Sequence, residues 1–193
     1  MIDYVALMLL NMTAGLLALA LFLLMGLQGD RTRWVAPFAM VGLVAAVCGF
    51  QMIFTWPLIG SYNIAFGETS VLLGVIYLGI ALSLAKEWNL APIAVYGVLA
   101  GLAAVVLGIR IIDLRMTMQP ELAGAGFILS GLGGILAVLA FCAPAKKALR
   151  STGAVVLLVA ALIWAMTAFP AYWMHMENFA SYKMPPKVTT PAK

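Results

Sequence analysis

Residues 55–78 read Thr-Trp-Pro-Leu-Ile-Gly-Ser-Tyr-Asn-Ile-Ala-Phe-Gly-Glu-Thr-Ser-Val-Leu-Leu-Gly-Val-Ile-Tyr-Leu. The first half is a long break in a chain otherwise made of plain apolar runs. Trp56-Pro57 predicts a helix end, because proline has no amide donor and turns the residue before it away from helical angles. Gly60-Ser61-Tyr62-Asn63 is turn chemistry. Glu68 then stands at the mouth of the next apolar run, where the exposed amides of a helix N-terminus favour a carboxylate. The stretch therefore predicts helix, polar loop, helix, with Glu68 opening the second helix.

Working outward, the composition decides the class. Of 193 residues, 65% are hydrophobic and 9% charged, and the mean hydropathy is +1.08. A soluble domain carries roughly a quarter charged residues, so the chain reads as an all-α, polytopic membrane protein. About 20 apolar residues cross a hydrocarbon core. Six runs qualify: 4–27, 34–54, 69–85, 90–109, 124–141 and 153–172. The third is the shortest. They predict a six-transmembrane-helix bundle over residues 1–180, with a Pro-rich, disordered tail over 181–193. The N-terminus lacks a basic segment and a cleavage site, which predicts a retained first helix rather than a signal peptide.

The net charge of +4 does not indicate nucleic-acid binding, because the basic residues sit at helix ends without a stripe or motif. They read as topology determinants. Arg31, Arg33, Lys86, Lys146, Lys147 and Arg150 follow helices one, three and five, against Arg110 and Arg115 on the other face. That bias predicts the first set on the cytoplasmic face and both termini outside. Five of the seven acidic residues, Asp3, Glu68, Asp113, Glu121 and Glu177, then fall outside. Cys48 and Cys142 lie toward opposite faces, so no disulfide is expected.

Polar residues within apolar helices need a bundle interior or a cavity. Ser70 and Tyr77 share one face of helix three with Gly74 and Ala81, a weakly polar stripe running down from Glu68. For Tyr77, a buried phenol bonded to a carbonyl and a pore-lining group are both open readings. Small residues allow close helix approach in lipid. Gly97 and Gly101 form such a pair, and Gly126, Ser130 and Gly134 repeat at the same spacing, as a packing seam or, for Ser130, a pore lining. Arg110 is spaced to pair with Asp113, or else it stands opposite Glu68 at the outer mouth. His175 alone cannot build a bis-histidine haem site; it reads as an interfacial residue or a pH sensor. No nucleophile–base pair, phosphate loop or zinc motif is present, so neither an enzyme nor a cofactor is expected.

The run Trp56 to Glu68 resembles the signature of an uncharacterised family of bacterial and archaeal membrane proteins, DUF981, over residue 1 to about residue 145. That resemblance implies a bacterial or archaeal cytoplasmic membrane and no function. Phe66-Gly67 and Leu72 to Leu78, with Thr167 to Trp173, resemble helices three and six of the amide/urea channel family. This second resemblance implies a six-helix protomer in a homo-oligomeric ring of six, each with its own pore, as in acetate-uptake transporters of similar size. It implies that Val75 and Tyr77 narrow that pore. Gly133 and Ala137 stand where the family's channel-narrowing tryptophans would be, and its histidine-rich outer loop is absent, which puts urea selectivity in doubt.

The expectation is a lipid-embedded channel or facilitator for a small neutral or weakly acidic solute such as urea, an amide or acetate. Ser70, Tyr77 and Ser130 would line the path, with Glu68, Arg110, Trp56, Tyr62 and Asn63 around an outer vestibule. The alternative is an accessory transmembrane subunit of a respiratory or photosynthetic redox complex, docking a partner or lining a quinone site. A purely structural scaffold is the third.

Overall fold

The structure is a computed structural model and describes residues 4–180. The expected tail, 181–193, lies outside the described residues. Six helices are long and apolar enough to cross a membrane, and no strand occurs among the described residues. They are α1 (Val5–Leu21, continued by a π-helical turn, Phe22–Gly26), α2 (Val35–Thr55), α3 (Thr69–Ala85), α4 (Ala94–Asp113), α5 (Pro120–Cys142) and α6 (Lys147–Ala180). Neighbours in sequence run antiparallel. We call the end carrying the α2–α3 and α4–α5 connections the upper end, and the opposite one the lower end.

The helix ends follow local chemistry. Trp56 stops α2 in a left-handed conformation at φ +44°, just before Pro57. Pro120 begins α5, where its missing amide hydrogen is no loss. The opening of α3 differs from the sequence reading. A π-helical turn, Asn63–Glu68, runs straight into it, so the span from Asn63 to Ala85 is 23 residues, against 24 and 23 for its neighbours. The cause is Asn63, which is fully buried. Its amide donates to the carbonyls of Leu58 (2.6 Å) and Gly60 (3.1 Å), and its Oδ1 accepts from the Leu58 amide (3.0 Å). These bonds tie the loop into one turn and let the helix start there. Glu68 consequently lies inside the helical run, not at its N-terminus.

Two hairpins, α2–α3 and α4–α5, are built alike. Each opens with a 3-10 turn, Thr32–Trp34 or Ala91–Ile93. Each turns over after a left-handed residue, Trp56 or Arg115. Each is closed by two glycines per helix, two turns apart. In the first, a methyl on Gly42 would lie 3.0 Å from the Gly74 carbonyl oxygen, and one on Gly49 2.9 Å from that of Gly67. In the second, Gly101 meets the Gly131 carbonyl oxygen at 2.8 Å and Gly108 that of Gly124 at 2.7 Å. Such close backbone contact is the kind that joins helices in lipid, where there is no hydrophobic drive for association.

The seam expected from Gly126, Ser130 and Gly134 is therefore divided. Gly124 and Gly131 face α4, while Gly126 and Gly133 face Trp164 and Leu157 of α6. Gly134 faces neither. The reason is that α5 lies between two partners and needs small residues on two sides. The other main contact joins the first helix to the last, α1 to α6.

Candidate functional site

The two hairpins hardly touch one another: α3 and α4 make few contacts although they are joined in sequence. A cleft of about 100 Å³ lies between them. Leu72, Leu73, Ile76 and Ile80 of α3 form one wall, and Gly97, Ala100 and Ala104 of α4 the other. Gly134 and Ala137 of α5 and Leu16 of α1 close its inner side. Leu72, Ile76, Ala100 and Ala104 are only partly buried, so the cleft reaches the side of the bundle.

Aromatic clusters bound it above and below. At the upper end Phe127 packs edge-on against Phe66 (5.6 Å between centroids) and Trp164 (5.2 Å). At the lower end Phe141 meets Phe22 at 6.1 Å, and Phe22 continues to Phe38 and Trp34. Edge-to-face pairs of this kind add stability beyond the area they bury.

The hydroxyls bordering the cleft are already engaged. Tyr77 is 2% exposed and donates to the Gly15 carbonyl at 2.8 Å. Its ring fits against α1 because Gly15 has no side chain, and it packs on Phe38 at 5.3 Å. Ser130 donates to the Gly126 carbonyl at 2.7 Å and accepts from Trp164 Nε1 at 2.9 Å. Thr69 donates to the Ala65 carbonyl. Away from the cleft the same economy holds: Asn11 donates to the Val41 carbonyl and Thr167 to that of Ile163. Each hydroxyl proton at the cleft is thus held by a backbone carbonyl, as burial in an apolar medium demands.

Of the residues singled out from sequence, Tyr77 and Ser130 meet at this cleft. Ser70 borders a smaller adjoining hollow of about 20 Å³, with Met8, Phe66 and Trp164. The others stand elsewhere. Arg110 pairs with Asp113 one turn along its own helix. Glu68 is exposed and makes no hydrogen bond or ion pair among the described residues, so it neither fastens the Gly60–Asn63 turn nor pairs with Arg110. Asn63 holds that turn instead. Trp56 is half-exposed on the upper loop, and Tyr62 stacks on Phe66 at 6.4 Å. None of these five lines the cleft.

Sequence reasoning missed the cleft's walls on α4 and the role of Gly134. A signal was present: Gly42 to Gly49 reads Gly-Leu-Val-Ala-Ala-Val-Cys-Gly, and Gly101 to Gly108 reads Gly-Leu-Ala-Ala-Val-Val-Leu-Gly. That internal likeness marks the repeated hairpin.

A family model described as a protein of unknown function, DUF981, matches residues 1–178. The chain belongs to DUF981. The match takes in all of α1 to α5 and nearly all of α6, further than the resemblance of the upper loop implied. Comparison with curated proteins and with solved structures gave no match. The likeness to amide and urea channels thus gains nothing from these comparisons, and for this DUF981 chain the functional reading rests on the cleft.

Proposed function

We propose that the chain is a multi-pass protein of the cytoplasmic membrane, with both termini outside, and that it takes up a small apolar molecule from the bilayer into the cleft between its hairpins. The observation that carries this reading is the character of the cleft: apolar walls, a side opening, and aromatic closure above and below. An apolar cavity of about this size stays dry and accepts an apolar guest. Ligand sites of membrane proteins with repeated halves commonly lie where the halves meet. No reaction is assigned to it, and no cofactor is needed.

The second reading is a facilitator, alone or in a ring, for a small neutral or weakly acidic solute. It draws on Ser70, Tyr77 and Ser130, which gather around the cleft and the adjoining hollow. It is the weaker because their protons at the cleft are committed to backbone carbonyls. A redox-complex subunit is a special case of the first reading, with a quinone-like guest.

Organic extraction and mass spectrometry of the purified protein, beside liposome flux of urea, acetamide and acetate, test the order. We expect an apolar molecule near one per chain and flux no greater than through empty liposomes. Solute flux without a bound guest would reverse the two readings. A reporter fused after Lys193 should be active outside; activity inside would invert the topology.

A further inference from the structure

The likeness of the two hairpins allows them to be compared position by position. Gly67 corresponds to Gly124 and Gly74 to Gly131; in the same register Tyr77 corresponds to Gly134. Both line the cleft. Where the first hairpin places a buried aromatic ring, the second places no side chain.

Nothing in helix packing explains that glycine. A Cβ on any other glycine of α4 or α5 would come within 3.1 Å of a neighbouring atom, whereas one on Gly134 meets nothing within 4 Å. Its backbone is ordinary α-helix, with no positive φ. Glycine inside a helix is unfavourable relative to alanine. The one thing its missing side chain provides is room in the cleft.

The dimensions of that room point to its occupant. The lining runs from Thr69 to Ile80 on α3 and from Phe127 to Phe141 on α5, about 16 and 21 Å at the helical rise. A hydrocarbon core is about 30 Å thick, so the cleft covers roughly half to two thirds of it, centred on α3 between Asn63 and Ala85. Its volume of about 100 Å³ is too small for a helix, about 10 Å across, to lie within it, whereas a single hydrocarbon chain is slender enough to enter. Phe127 and Phe141 close the ends, leaving entry from the side, between α3 and α4.

Resting on the reading of the cleft given above, we propose that it is a slot for one hydrocarbon chain of a membrane amphiphile, and that Gly134 is the specificity determinant that keeps it open. The wall opposite supplies Leu72 and Ile76. The distal part of a chain entering from the side contacts methyl and methylene groups in the middle of the bilayer, while its headgroup stays at the surface.

The test is photolabelling in proteoliposomes with a phospholipid bearing a diazirine midway along a hexadecanoyl chain, and with the same headgroup on an isoprenoid chain. Peptide mapping should find the label at Leu72, Ile76, Ala100 and Ala137, and the better probe identifies the chain type. Gly134→Leu should cut this labelling about tenfold while unfolding no earlier than the parent. Leu72→Trp, filling the slot from the other wall, should do the same, and Leu132→Phe on the outer face of α5 should change nothing. Undiminished cleft labelling in Gly134→Leu would overturn the role of Gly134 alone, and failure of that variant to fold would contradict the open space on which the role rests. A co-purified ring-fused guest without cleft labelling would overturn the single-chain inference and leave the bilayer-facing site standing. Absence of both label and guest would overturn the two together.

Discussion

The indole of Trp164 and the hydroxyl of Ser130 are joined by a 2.9 Å hydrogen bond across α5 and α6. Trp164 is 2% exposed, and Ser130 hands its own proton to the Gly126 carbonyl, so the serine oxygen is the acceptor that makes a buried indole N–H tolerable. Ser130→Ala removes it. We expect a loss of about 1 kcal/mol in unfolding free energy, since an orphaned donor is costly but intramembrane hydrogen bonds are modest. Trp164→Phe on the same background should recover part of the loss, and denaturation in mixed micelles measures both.

Gly131 and Gly134 lie one turn apart and should respond in opposite ways. A side chain on Gly131 collides with the Gly101 carbonyl, so Gly131→Val should destabilise by about 2 kcal/mol or more. Gly134→Ala meets open space and gains helix propensity, so it should stabilise by up to about 1 kcal/mol. Thermal unfolding of the two variants reads the contrast directly.

Tyr77→Phe keeps the ring on Phe38 but loses the bond to Gly15. The Gly15 carbonyl already serves its own helix, so we expect a small loss, about 0.5–1 kcal/mol, with the α1–α3 packing intact. A loss above about 3 kcal/mol would mean that the phenol does more than fasten α1 to α3.

Glu68→Gln should leave stability within about 0.5 kcal/mol of the parent. The carboxylate is exposed and unpaired among the described residues, so neither a cap nor an ion pair is lost. A strong effect on guest binding would instead place Glu68 at the site.

The connection between α1 and α2 carries an acid-sensitive contact. The hydroxyl and amide of Thr32 donate to Asp30, and Arg33 stands beside it, holding its carboxyl below the usual carboxylate range. A lowered folded-state pKa means this contribution is complete above the unfolded value, about 3.9, and is lost as pH falls through the folded value. The protection factors of the Thr32 to Trp34 amides, measured relative to intrinsic exchange at each pH, should therefore fall in acid, and Asp30→Asn should remove that dependence.

Much of this architecture was legible in sequence because apolar run length is a direct consequence of hydrocarbon thickness. The stop at Trp56-Pro57 and the pairing of Gly101 on α4 follow from local geometry and were readable. Arg110 pairs with Asp113, the nearer of the two partners its spacing allowed. The start of α3 was not readable, because residues with turn chemistry also make a tight helical entrance once Asn63 folds back on the loop. The partner of each glycine on α5 was equally hidden: spacing says that a face is small, but not which of two neighbouring helices it meets. The cleft depends on what two non-adjacent walls fail to fill, and no local pattern encodes a gap.

The pairing of α1 with α6 has a consequence for how the chain is made. Each repeated hairpin finds its partner helix within a few residues and is complete as soon as it emerges. α1 instead finds a principal neighbour in α6, five helices later. That face of α1 must therefore stay uncovered while α2 to α5 are made, and the arrival of α6 is the event that covers it. A chain cut before Lys147 would hold two finished hairpins and a first helix tied to them through α2 and α3.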